Sequence, residues 1–162
     1  QDDSTNIFSA ILAEWHDVPR DSRKSKEIFT QNLLLSFERQ PLEDGFLHPA
    51  ESIIGDALKI YKNVPEWIEN LYDNHVSTNP TISASLLLSV SRLKVEVISP
   101  WGYKIAAKAL KEKDIEVRES AVRALESWGG NNGLELLKTF VDSESVNWLK
   151  IYTEKIIEEL SE

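Results

Sequence analysis

The chain has 162 residues, 41% hydrophobic and 28% charged, with a net charge of −9; this suits one domain that buries roughly two-thirds of its unfolded surface and is too apolar for a disordered chain. No apolar run approaches about 18 residues, which excludes a membrane-spanning helix, and without cysteine there is no disulfide, thiolate zinc site or thiol nucleophile. An acidic chain is a poor general ligand for phosphate backbones and a better one for a basic partner.

Helical periodicity runs from end to end. The opening QDDSTN lacks the basic and apolar regions of a leader, and with the absence of cysteine it points to a cytoplasmic protein. Ser4 is a plausible N-cap for a first helix with Ile7, Phe8, Ile11, Leu12 and Trp15 at spacings of three and four, closed by a turn at Pro19. A second helix then places Ile28, Phe29, Leu33, Leu35 and Phe37 along a broad apolar stripe. PLEDGFLHP is a loop, since Pro41, Asp44-Gly45 and Pro49 are breakers. Pro49 suits the first position of the next helix, with His48 at its entrance as a cap and Ile53, Ile54, Ala57, Leu58 and Tyr61 facing inward. No segment alternates with period two between hairpin turns; KVEVIS reads as a connection between helices, so the fold class is all-α.

The second half repeats itself. NPTISASLLLSV (79–90) aligns with DIEVRESAVRAL (114–125) at an offset of 35, matching Asn79 to Asp114, Ile82 to Val117, Leu86 to Ala121 and Val90 to Leu125. A weaker third copy begins at Asp142, about 28 to 31 residues on, with Val146, Trp148 and Tyr152. A shorter amphipathic helix precedes each copy, over 67–74, 103–111 and 134–140. An Asp or Asn before the longer helix can accept hydrogen bonds from its unpaired first-turn amides. Ala121 and Ala124 permit close helix approach, while Gly129, Gly130 and later Gly133 supply positive-φ exits. Each pair alone leaves an apolar face open, and stacking the pairs covers it.

DIEVRESAVRALESWGG resembles the second helix of a HEAT-type repeat, of the short variety also found in bilin-lyase-like proteins. The family's Asp, Val-Arg, Ala and Ala-Leu positions fall on Asp114, Val117-Arg118, Ala121 and Ala124-Leu125. The match is good for this unit, fair for 65–98 and loose for 134–160, where Asn147 or Trp148 stands in place of the family arginine; Ser83 stands there in the middle copy. The resemblance implies a single domain over 1–162, a right-handed α-α superhelix, that is, an α-solenoid of stacked hairpins. About three pairs would occupy 65–162, with 1–64 as divergent repeats or a separate cap. It says little about function, because the family includes scaffolds, lyases, glycosylases and inhibitors. It also implies that Arg118 bonds to the turn acid, here Asp114, or to a neighbouring repeat.

Catalysis has little in its favour. His16, His48 and His75 stand on different segments without metal-binding spacing, so neither a metal nor a cofactor is expected. No serine has a nucleophile-elbow context and the six glycines form no nucleotide loop. The expected function is therefore non-enzymatic protein binding. In such a fold the longer helices line the concave side, here offering Glu116, Glu119 and Glu126, one base at Arg123, and Glu154 and Glu158 further on. Of five tryptophans (Trp15, Trp67, Trp101, Trp128, Trp148), Trp128 and Trp148 are the candidates for exposed anchors. The expected partner is another protein with a basic surface; one version is an immunity protein that plugs the basic cleft of a nuclease toxin. The alternative is a DNA binder or a DNA-glycosylase-type enzyme on the same scaffold, similar to HEAT-like alkylpurine DNA glycosylases. Those have strongly basic grooves, whereas only 92–123 is basic here: eight Lys and Arg against five Asp and Glu, or +3, with −7 before it and −5 after. Nucleic acid is accordingly not the expected partner, and no membrane is.

Overall fold

A computed structural model describes residues 22–162, so the Ser4 cap, the Pro19 turn, Trp15 and His16 lie outside the described residues. Among these residues the regular structure is all helical: α1 (Ser22–Arg39), α2 (Pro49–Ile60), α3 (Val64–His75), α4 (Pro80–Ser91), the one-turn α5 (Val95–Ile98), α6 (Trp101–Ala109), α7 (Ile115–Trp128), α8 (Gly130–Val141) and α9 (Asn147–Leu160). KVEVIS, expected as a plain connection, contains α5.

Local chemistry sets most of the boundaries. Proline opens α2, α3 and α4 in the first turn, where its missing N–H costs no helical bond. The His48 Nδ1 accepts from the Ala50 amide at 3.0 Å, which leaves the ring proton on Nε2 to donate to the Gln40 carbonyl at 2.8 Å. Asp114 caps α7 by accepting from the Val117 amide at 3.1 Å. That helix ends through Gly129 (φ 62°) and Gly130 (φ 74°), a backbone region open to glycine and costly to other residues. Gly133, expected as a third positive-φ exit, lies inside α8 with an ordinary φ; there a Cβ would sit 3.4 Å from the Leu125 carbonyl oxygen, so its role is close approach to α7. Asn79 makes no side-chain cap. Asp142, expected to open the third copy, closes α8 instead, and α9 begins five residues later.

Pairs form between α1 and α2, α3 and α4, α6 and α7, and α8 and α9. The first helices α1, α3, α6 and α8 neighbour one another in that order, as do the second helices α2, α4, α7 and α9. The most extensive packing is between α4 and α7. Small buried residues on both, including Ala84 and Ser89 on one and Ser120, Ala121 and Ala124 on the other, suit a close approach. The buried hydroxyls bond back to backbone carbonyls, Ser89 to Ser85 and Ser120 to Val117, so their burial leaves no donor unpaired. One apolar cluster runs from Phe29 to Ile156. Ile28 and Leu35, expected on the inward stripe of α1, are exposed, while Phe29 and Leu33 are buried.

Polar contacts between units recur at the repeat distance. Lys104 pairs with Glu69 (3.3 Å), Lys108 with Asp73 (2.6 Å), and Thr81 donates to Glu116 (3.1 Å), each joining residues 35 apart. Ser127 donates to the Ser91 carbonyl, 36 residues back (2.8 Å). Equivalent positions in successive units therefore lie side by side.

Candidate functional site

The outer face of α7 carries Glu116, Glu119, Arg123 and Glu126 at spacings of three and four, which align them along one side of a helix. The opposite face is buried through Val117, Ala121, Ala124, Leu125 and Trp128. Three other elements reach this row. From α4, Thr81 holds Glu116. From α9, the Tyr152 hydroxyl donates to Glu126 at 2.6 Å. From the α1–α2 loop, Asp44 forms an ion pair with Arg123, 79 residues away.

Electrostatics follow from that arrangement. Burial, reinforced by the hydrogen bond to the Glu126 carboxylate and by its charge, raises the Tyr152 phenol above its ordinary value of 10.0, so Tyr152 stays a neutral donor. Burial works against the charge on Arg123, and the hydrogen bond and charge of Asp44, aided by the charge of Glu119, outweigh it, leaving the guanidinium more firmly protonated than usual. The single cation of the row is thus matched by an acid from the same chain, and the face keeps three glutamates.

Trp148 stands one turn before Tyr152 on α9, roughly 40° around the helix axis from it at 3.6 residues per turn, and is 50% exposed. It shares the side of α9 from which Tyr152 reaches the α7 row, and stands open to solvent. Trp128 does not: it is 7% exposed and packs edge-on against Tyr103, with ring centroids 5.4 Å apart. The expected anchor at Trp128 is corrected by this packing, because Gly102 leaves the space into which the indole folds; a Cβ there would lie 3.1 Å from the ring. Glu154 and Glu158 are exposed on α9 but lie roughly 160° and 120° around its axis from Tyr152. The structure does not bring them to the row.

The participant that sequence reasoning missed is the α1–α2 loop. Together with α4 and α7 it borders a cleft of about 380 Å³, with Leu42, Asp44 and Gly45 on the loop side and Arg92, Arg123 and Glu126 among the residues opposite. Arg92 fixes the loop, donating to the Phe46 carbonyl (2.9 Å), the Glu43 carbonyl (2.8 Å) and the Glu51 carboxylate (2.9 Å). The Pro and Asp-Gly breakers identify a loop, yet no local signal indicates that it crosses to α7.

Five of the eight basic residues in 92–123 are paired internally, while Lys94, Lys111 and Lys113 are exposed. Arg92 pairs with Glu51, Lys104 with Glu69, Lys108 with Glu69 and Asp73, Arg118 with Glu144, and Arg123 with Asp44. These pairs lower the positive charge that the segment offers to a phosphate backbone. Arg118 acts between units, as the resemblance allows, though its partner is Glu144 and Asp114 is occupied as the cap. His48 is a cap and the His75 ring bonds the Leu71 carbonyl. Among the described residues no group of three or more metal-ligating side chains is placed to hold an ion, and no helix is long and apolar enough to cross a membrane. No family model, curated protein or solved structure matches the chain.

Proposed function

We propose that the chain is a non-enzymatic protein-binding module, a HEAT-like solenoid of stacked hairpins that presents the α7 row to a basic protein partner. Two ordered rows of neighbouring helices, with polar contacts repeating at 35 residues, support the solenoid reading, and α1 and α2 extend it as one further hairpin. The observation that carries the functional reading is the Arg123–Asp44 pair. It cancels the one base on the row and leaves Glu116, Glu119 and Glu126, with the half-exposed Trp148 one turn from Tyr152 on α9. Acids attract a partner with exposed lysine or arginine and govern the rate of encounter, while an exposed indole supplies area to bury. The cytoplasm is the compartment that fits this reading, and an inhibitor that plugs the basic cleft of a nuclease toxin is one concrete form of it.

Capture from the native source, with the chain as bait, tests the reading. Glu119→Gln/Glu126→Gln is expected to slow association with the captured protein roughly tenfold at low salt and to flatten its salt dependence. Trp148→Ala is expected to speed dissociation, and Glu135→Gln on α8 to change neither. Equal binding by all of these variants would show that the α7 face is not the contact.

A further inference from the structure

The α1–α2 loop has an inverted polarity. Its backbone groups are bonded toward the protein: Arg92 holds the Glu43 and Phe46 carbonyls, the Gln40 side chain donates to the Leu47 carbonyl (3.0 Å), and the Phe46 amide closes a turn onto Glu43 (3.2 Å). Gly45, at φ +82°, takes the turn's left-handed position. Two of its three large apolar side chains face the other way, Phe46 being 66% and Leu47 87% exposed, while Leu42 lines the cleft. Among the described residues neither side chain joins the apolar cluster or packs against it, and fixed loops displaying such residues are a common form of recognition element.

We propose that Phe46 and Leu47 form a second docking element, which inserts into an apolar cavity bordered by lysine or arginine on the same partner that the α7 row contacts. This rests on the binding role assigned to that row. The brace has already fixed the backbone of the loop, so docking loses little further conformational freedom. Charge selects the occupant. Glu43 is exposed beside the apolar tip and, with Glu126 and the rest of the α7 glutamates across the cleft, matches a basic rim, Asp44 being balanced by Arg123. The same acids oppose an anionic lipid surface, and they would face each other if two copies met through this loop. Continuity selects the same partner, since the Asp44–Arg123 pair joins the loop to the row.

The test uses the full chain with a photo-crosslinking phenylalanine analogue in place of Leu47, and a control with the analogue in place of Thr139 on α8. Irradiation in extract of the native source should link position 47, and not position 139, to one protein at an apolar cavity with basic residues at its edge. Phe46→Ser/Leu47→Ser should then weaken binding of that purified protein by about tenfold or more, with an unchanged thermal midpoint because both side chains are exposed. If that variant binds like wild type while Glu119→Gln/Glu126→Gln binds poorly, the loop proposal is overturned and the α7 reading stands. The reverse result overturns the α7 reading and, with it, the loop's assignment as a second element beside that row. No crosslink, a crosslink to a second copy, or binding to anionic vesicles that the serine pair abolishes would each overturn the proposal.

Discussion

Arg118 shows how one residue joins two units. Its Nε and Nη2 donate to the Glu144 carboxylate at 2.8 and 3.0 Å, and its Nη1 donates to the carbonyls of Glu112 and Lys113. Glu144 also accepts from the Val146 amide, so the pair ties the turn before α7 to the turn before α9. The Arg118 side chain is 14% exposed and that of Glu144 2%. Removing one member of such a pair strands a buried charge, whereas removing both does not. Arg118→Ala is therefore expected to cost about 3–5 kcal/mol in urea unfolding, and Arg118→Met/Glu144→Leu distinctly less. A loss under about 1 kcal/mol for the single variant would mean that Glu144 is well solvated. The arginine was legible in the Val-Arg position of the repeat, but its partner was not. Glu144 lies 26 residues on, beyond the reach of any helical spacing rule, and the nearer acid Asp114 is spent on the Val117 amide.

At the scale of elements, α7 is the helix most completely encoded by its own residues. Asp114 caps it, small residues mark its packing face and a glycine pair ends it. α9 is encoded less locally, because the turn before it takes its shape from Arg118, and Asp142, where the third copy begins, closes α8 instead of capping α9. The seam between α3 and α6 has a pH signature. Burial raises the Glu69 carboxyl, but hydrogen bonds and charge from Lys108 and Lys104 outweigh it and hold it below its ordinary value of 4.5. Burial likewise lowers Lys108, and Asp73 and Glu69 outweigh it to raise the ammonium above 10.5. A depressed carboxylate stabilises the fold at neutral pH, and that contribution is lost as pH falls from 4.5 through the lowered folded value. A raised lysine contributes below 10.5, and its contribution is lost as pH rises above that value. Glu69→Gln should thus lower stability at neutral pH by about 1 kcal/mol or less, since the lysines are partly solvated. The gap from wild type should close below pH 4.5 in a series of thermal melts; a gap that persists there would point to lost packing instead of charge.

For the whole molecule, the order of the helices and the 35-residue step were both visible in sequence, because apolar layers and an acidic or amide residue before the longer helix recur with the unit, although of these only Asp114 acts as a side-chain cap. The composition of the candidate face was visible only in part. Glu116, Glu119, Arg123 and Glu126 follow from the spacing on one helix. The loop that neutralises Arg123 comes from 79 residues earlier, and the inward turn of Trp128 depends on space at Gly102. Folding therefore redraws the surface: it withdraws Trp128, sets Glu154 and Glu158 apart, and adds Asp44, Phe46 and Leu47. The most direct measurement is carboxyl-specific footprinting of the chain, free and bound to its captured partner, followed by mass spectrometry. Protection is expected at Glu116, Glu119 and Glu126, with Glu66 on α3 and Glu135 on α8 labelled as in the free chain. Protection confined to Glu66 and Glu135, with the α7 glutamates unchanged, would contradict it.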